Sequence, residues 1–279
     1  MSDEHLSTTD RSESVDAAGP AVAVIVPAYN EEHLIVDTLH ALQEQDFDSP
    51  LQRAVLGGCR IVVVDNDSTD RTPELVREFI ESGPRYPTEL IHESDKGTGC
   101  AADTGARYSI DSGATVIART DADSRPASCW LANLIAPLFA GKRLVGGRVK
   151  ARPDEGVSPI LFNAVGRLWR VGHGIEYLRT LRGPAAARRS YAVVGNNMAI
   201  DAEMYLESGG FPRTRVDDAD EDAVLQARVR ALVGPKGIGL QKDALVYTSQ
   251  RRRQAFGLRG TVEWYSGERT ASGRAADIR

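Results

Sequence analysis

Residues 21–45 read AVAVIVPAYNEEHLIVDTLHALQEQ. The first six, Ala21–Val26, are an unbroken apolar run, the pattern of a strand buried on both faces. The period then changes, and Leu34, Ile35, Thr38, Leu39 and Leu42 fall at helical spacing. The same order recurs along the chain. RIVVVD (Arg60–Asp65) precedes TPELVREFIESG, where Thr72 suits an N-cap, Pro73 the first helical position and Gly83 the end. TELIHES is a weaker third strand before the helical TGCAADTGARYSIDSG. TVIART is a fourth strand, and SCWLANLIAPLFAG the next helix. Strands alternating with helices predict an α/β fold, a largely parallel sheet covered on both faces.

Beyond about Leu144 the rhythm changes. LVGGRVKA reads as a strand, and VSPILFNAVGRLWRVGHGIEYLRTLRG as a long amphipathic stretch rich in arginine. GPAAARRS is a loop, YAVVG is strand-like, and a short helix ends at Gly209-Gly210. EDAVLQARVRAL is a helix that Val224, Leu225, Val229 and Leu232 would pack down. Residues 1–20 are polar and acidic and read as a disordered tail. The expected organisation is one domain over 21–255, divided at 143/144 with a second half built for a different partner, and a C-terminal helix or tail over 256–279.

A formal net charge of −5 and 6% aromatic residues give no sign of nucleic-acid binding. Cys59, Cys100 and Cys129 form no ligand pair and no disulfide framework, which suits a reducing cytoplasm. No run approaches the ~18 apolar residues of a membrane span. The expected location is cytoplasmic, at most peripheral to a membrane, with homo-oligomerisation left open.

In parallel α/β sheets ligands bind beyond the carboxyl ends of the strands. Three polar clusters fall there: Pro27-Ala28-Tyr29-Asn30-Glu31, Asp65 to Asp70, and Asp121-Ala122-Asp123. Alternation puts Asp121 and Asp123 on the same side of an extended backbone. Two like charges so close repel unless a cation joins them. Oxygen ligands of this kind suit Mg2+ or Mn2+, which keep open positions for phosphate oxygens.

The chain resembles the family 2 glycosyltransferases of GT-A fold. The resemblance rests on VPAYNEE (Val26–Glu32), VVVDNDSTD (Val62–Asp70), KGTGCAADTG (Lys96–Gly105), TDAD (Thr120–Asp123), GNNMAI (Gly195–Ile200), GGF (Gly209–Phe211) and DEDAVLQAR (Asp220–Arg228). Seven motifs in order, over about residues 20–235, are far more specific than any one of them. The resemblance implies a single Rossmann-like, mostly parallel sheet with an acceptor-side second half. It implies an inverting, hexosyltransferase-type enzyme that moves a sugar from a nucleotide-diphospho-sugar to an acceptor hydroxyl or amine in one displacement. The acceptor would be a small molecule, a glycan or a lipid-linked group.

By the same resemblance Pro27, Ala28, Tyr29, Asn30, Glu31, Asp65 and Lys96 would line the donor pocket, with Asp121 at the ribose or metal. Asp123 would ligate Mn2+ or Mg2+, Asp222 would be the general base, and Asn196, Asn197 and Glu221 would meet or position the acceptor. A helix N-terminus also favours an ionised Asp222. Ser68, Thr69 and Asp70 read instead as turn and cap residues. Trp169, His173 and Trp264 read as packing residues before sugar platforms.

The chain departs from the family pattern in two places. Where many relatives carry an arginine before Asn-x-Gly, it has Ala102-Asp103-Thr104-Gly105, and no histidine follows His173 to serve as a late metal ligand. Arg251 and Arg252 stand in that region, either to neutralise the diphosphate or as part of an exposed basic loop. The alternatives are an inactive nucleotide-sugar-binding module and a sugar-nucleotide pyrophosphorylase-like enzyme. An NAD(P) enzyme is disfavoured because PAYNEE stands where GxGxxG is needed.

Overall fold

The computed structural model describes residues 21–46, 59–155, 175, 178–180, 183, 193–213 and 221–251. Among them one sheet contains β1 (Val22–Ala28), β2 (Arg60–Asp65), β3 (Thr88–His92), β4 (Val116–Thr120), β5 (Ser124–Pro126), β6 (Leu144–Ala151), β7 (Asn197–Asp201) and β8 (Ile238–Thr248). Their spatial order is β3-β2-β1-β4-β7-β6-β8-β5. Strands β3, β2, β1 and β4 run parallel, as do β6 and β8. β7 runs antiparallel between β4 and β6, and β5 pairs antiparallel with β8. The sheet is therefore mostly parallel, as the strand–helix rhythm predicts, and the departures lie in the second half.

Among the described residues the α-helices with both ends described are α1 (Ile35–Gln43), α2 (Thr72–Glu81), α3 (Thr98–Asp111), α4 (Trp130–Phe139), α5 (Ala202–Glu207) and α6 (Glu221–Val233). Along β1, Val22, Val24 and Val26 face one core with Leu39, Phe79 and Trp130, while Ala23 and Ile25 face another with Ala102, Tyr205 and Leu225. Both faces are covered, which explains the unbroken apolar run at the chain's first strand. On the second face α3 lies close to the sheet. A Cβ at Gly105 would stand 2.7 Å from Val64 Cγ2, so only glycine admits that approach.

Several expectations are corrected. Of YAVVG the described residues are Val193, Val194 and Gly195, where Val194 forms an isolated bridge, and the next strand is β7, starting at Asn197. Thr72 is not the cap of α2. Asp70 accepts from the Thr72 N–H (2.9 Å), because the Thr72 hydroxyl is drawn to the β1 loop, where it accepts from the Glu31 N–H (2.7 Å). Leu232 is exposed, and α6 is held by Leu225 and Val229. The N-terminal tail, most of the arginine-rich stretch, segment 256–279, Trp169, His173, Trp264 and Arg252 lie outside the described residues. Among the described residues no helix is long and apolar enough to cross a membrane.

Candidate active site

Ala28, Asp65 and His92 stand in register at the carboxyl ends of β1, β2 and β3. The loops beyond them are tied together backbone to side chain. Asn30 N–H donates to Ser68 Oγ (3.0 Å), Thr69 N–H to Asn30 Oδ1 (2.8 Å), and Glu32 N–H to Asp70 Oδ2 (3.1 Å). Asn30 (φ 53°) and Asp67 (φ 63°) both take the left-handed conformation, which short polar side chains tolerate best. Burial works against the Asp70 carboxylate, but hydrogen bonds from Thr72 and Glu32 outweigh it and hold its pKa below the ordinary value. Ser68, Thr69 and Asp70 are thus scaffold, as the sequence suggests.

Pro27 and Ala28 are buried within β1, and the Ala28 carbonyl accepts from the Asn66 N–H (2.8 Å), so they carry the loop. Tyr29, Lys96 and Asp67 meet above it. The Lys96 ammonium lies 4.1 Å from the Tyr29 ring centroid and 3.2 Å from the Asp67 carboxylate. Asp65 is buried at the strand end, with His92 Nδ1 3.6 Å away. These groups offer a ring face and a carboxylate, the partners a nucleoside needs.

At the end of β4 the chain turns. Ser124 N–H donates to the Asp121 carbonyl (3.0 Å), and Ala122 is buried with its carbonyl on Thr38 Oγ1 (2.7 Å). Asp121 is part-exposed and pairs with Arg119 Nη2 (3.3 Å). Asp123 accepts from Ser124 Oγ (3.2 Å), and Arg251 Nη2 lies 3.8 Å from its other oxygen. Arg251 also pairs with Glu31, so it bridges the first loop to the Asp121–Asp123 turn.

The two carboxylates suit a hard divalent ion by donor type. Among the described residues no group of three or more His, Cys, Asp or Glu gathers for a metal. An Mg2+- or Mn2+-type site uses one or two carboxylates and completes its shell with water and phosphate oxygens.

Asp222 lies in the first turn of α6. Its Oδ2 accepts from Gly195 N–H (2.8 Å) and its Oδ1 from Ala223 N–H (2.7 Å). Burial pushes its carboxyl up to about 6, with the Glu221 charge adding to the rise, against the pull of those N–H groups and Arg119. The helix N-terminus does not keep this carboxylate at an ordinary value, because loss of solvent outweighs it.

Two residues expected at the acceptor are bonded to other parts of the protein. Asn197 is fully buried. Its Oδ1 accepts from Trp130 Nε1 (2.9 Å) and its Nδ2 donates to the carbonyls of Arg148 (2.9 Å) and Ala244 (3.0 Å). It braces β7 against α4, β6 and β8, and Gly147 has no room for a Cβ beside it, since one would stand 2.2 Å from Asn197 Oδ1. Glu221 accepts from Arg119 Nη2 (3.0 Å) and so faces the end of β4. Asn196 is half-buried beside Gly195.

Sequence reasoning passed over Arg119, although a lone arginine two residues before the acidic pair, in an otherwise apolar strand, is a signal. It also passed over Arg213, which donates to Glu93 (2.8 Å), Asp95 (3.0 Å) and Thr104 (2.8 Å) and ties the GGF turn to the loop after β3.

The strand-end loops, the acidic turn and the half-buried carboxylate of α6 are all carried by one α/β sheet and its helices. The sequence profile described as "Glycosyl transferase family 2" matches residues 23–190, and the chain belongs to that family. Asp222 and Arg251 lie beyond the matched span. The chain is 28% identical over 179 residues to the UDP-N-acetylglucosamine–dolichyl-phosphate N-acetylglucosaminyltransferase of Methanococcus voltae, covering 60% of this chain and 64% of that one. It is 33% identical over 132 residues to glycosyltransferase AglE of Haloferax volcanii, covering 47% and 40%. It therefore spans less than two thirds of either relative.

Among solved structures, mannosyltransferase PcManGT from Pyrobaculum calidifontis, in complex with GDP-Man and Mn2+, superposes with a TM-score of 0.59 at 26% identity. That match covers 89% of this chain and 60% of the other. TarS residues 1–349 of S. aureus, with UDP-GlcNAc, gives 0.55 at 16% identity over 82% and 58%, a likeness of fold. The architecture is the GT-A fold.

Proposed function

We propose that the chain transfers a sugar from a nucleoside-diphospho-sugar to an acceptor hydroxyl in a single displacement that inverts the anomeric centre. One observation carries the reading: Arg119 Nη2 contacts both Asp121 and Glu221, the neighbour of Asp222. A candidate proton acceptor and the donor-side carboxylates therefore share one corner of the sheet. The named substrates of the relatives agree with a nucleotide-sugar donor, and the M. voltae protein's name makes a lipid-linked phosphate one acceptor to test beside glycans and small molecules.

In this reading Tyr29, Asp65 and Lys96 hold the nucleoside and its diphosphate, and Asp121 and Asp123 hold a divalent ion. When bound, that ion neutralises charge on the diphosphate as it departs. Arg251 turns from Glu31 and Asp123 toward the same phosphates. Asp222 accepts the acceptor's proton while the acceptor oxygen forms its bond to the sugar's anomeric carbon. The bond from that carbon to the diphosphate oxygen breaks, and nucleoside diphosphate leaves with the electron pair. A base whose pKa lies nearer neutrality is better matched to this transfer than an ordinary aspartate.

The test is thermal unfolding with UDP or GDP, with and without Mn2+, beside release of nucleoside diphosphate from UDP-GlcNAc and GDP-Man. Metal-dependent stabilisation of wild type, absent in Asp123→Ala, and turnover lost in excess chelator are expected. Full turnover in chelator, kept by Asp123→Ala, would remove the metal from the mechanism. Binding without turnover would favour the inactive binding module.

A further inference from the structure

Arg119 stands next to last in β4, in a position that the strand buries completely. Its side chain is 2% exposed, and its Nε and Nη1 are buried with no hydrogen-bond partner among the described residues. Its cation is used on one side only. Nη2 reaches Asp121 (3.3 Å) and Glu221 (3.0 Å), groups 100 residues apart in the chain and on different elements.

The guanidinium plane is packed as closely as its end is bonded. The Phe211 ring centroid lies 5.1 Å from Cζ, and Phe211 is itself held by its N–H on the Tyr205 hydroxyl (3.1 Å). A Cβ at Gly195 would stand 3.0 Å from Cζ and Nη1, so the bare backbone of Gly195 rests on the guanidinium. The same Gly195 donates its N–H to Asp222 Oδ2 (2.8 Å). Two routes thus lead from Arg119 to Asp222: through Glu221, its chain neighbour, and through Gly195, its hydrogen-bond donor.

We infer that Arg119 is a positioning residue that fixes the proton-accepting carboxylate of α6 relative to the acidic turn after β4, acting through Glu221 and Gly195. This rests on the transfer reading above. Arginine suits the place because its planar head packs flat and its terminal nitrogen lies one bond farther out than a lysine ammonium. A lysine would keep the charge, lose the plane and fall short of the shared position between the two carboxylates. The consequence is a fault in alignment more than in binding, since neither route passes through the nucleoside pocket.

The experiment compares wild type, Arg119→Lys, Glu221→Gln and the double variant, using the donor that wild type turns over, UDP-GlcNAc or GDP-Man, with Mn2+. Turnover rate and donor KM are separated, and UDP or GDP affinity is measured by calorimetry. Arg119→Lys should lower kcat by about ten- to a hundredfold, the usual loss when a supporting contact goes. Nucleoside diphosphate affinity should change far less. Glu221→Gln should lower kcat by about tenfold, and the double variant should be no worse than Arg119→Lys, because both changes cut one link.

Wild-type kcat in Arg119→Lys, or losses that multiply in the double variant, would overturn the inference. If Arg119→Lys fails to fold, Glu221→Gln decides alone: a lower kcat at unchanged nucleotide affinity supports it, and an unchanged kcat overturns it. A protein that turns over neither donor, or an Asp222→Asn variant as active as wild type, removes the transfer reading and this inference with it. An active enzyme that needs Asp222 but is indifferent to Arg119→Lys removes this inference alone.

Discussion

The loops after β1 and β2 and the ground between β4 and α6 are both acidic, yet they hold their carboxylates by different means. In the first region backbone N–H groups do the work. Glu31, Glu32, Thr69 and Thr72 each donate a main-chain N–H to a side chain of the pair of loops. In the second, arginine carries much of the load, buried Arg119 between Asp121 and Glu221 and half-buried Arg251 between Asp123 and Glu31 of the first loop, while Asp222 takes the N–H groups of Gly195 and Ala223. Backbone donors cannot leave, so the donor-side loops are a fixed cradle. Ion pairs exchange partners when a more highly charged ligand arrives, so the second region is suited to a metal and a diphosphate.

Substitutions that act on each kind of support test this difference. The largest effect on stability is expected at Asn197, which braces the second region from beneath. Asn197→Ala strands the Trp130 indole N–H and the Arg148 and Ala244 carbonyls in a buried place. It should cost about 3 kcal/mol by thermal or urea unfolding. A loss below about 1 kcal/mol with a raised acceptor KM would return Asn197 to the acceptor.

A smaller effect is expected at Arg251. Arg251→Ala should weaken UDP or GDP affinity in the presence of Mn2+ by about tenfold, the range of one charge-assisted contact. Unchanged or tighter binding would mean that Arg251 only covers Glu31 and Asp123.

The smallest is expected at Asp70. Its Oδ1 accepts from the N–H of Thr72, the first residue of α2, and its Oδ2 holds the Glu32 N–H. Asp70→Ala should cost about 1 kcal/mol, the net worth of an ordinary hydrogen bond. Because the pKa of Asp70 is lowered in the fold, its contribution is present above the unfolded carboxylate's pKa and fades as pH falls toward the folded one. Stability differences between wild type and Asp70→Ala should therefore shrink in acid. A difference constant down to acid pH would show that the charge of Asp70 does no work in the cradle.

The two regions were also unequally legible in the sequence. β1, α1 and β2 follow from apolar runs and period, and the acidic turn from its place after an apolar run, because each signal is local. Asn197 reads as an acceptor contact in GNNMAI, since nothing nearby announces that Trp130, 67 residues earlier, will cover it. Glu221 reads as an acceptor contact for the same reason. Its partner Arg119 lies 102 residues back, on a strand whose neighbours decide which way it points. The pKa of Asp222 was misjudged from helix position alone, because burial beside Glu221 is a tertiary property.

The central claim is that Asp222 takes the acceptor's proton. The most direct measurement is the pH dependence of transfer at saturating donor, in wild type and Asp222→Asn. Only the unprotonated carboxylate is a base, so wild-type rate should rise with pH through a limb at about 6 and level off above it. Asp222→Asn should lose that limb and run roughly a hundred- to ten-thousandfold slower, with nucleoside diphosphate affinity nearly unchanged. A limb near 6 that persists in Asp222→Asn, or a rate close to wild type, would place the base on another residue.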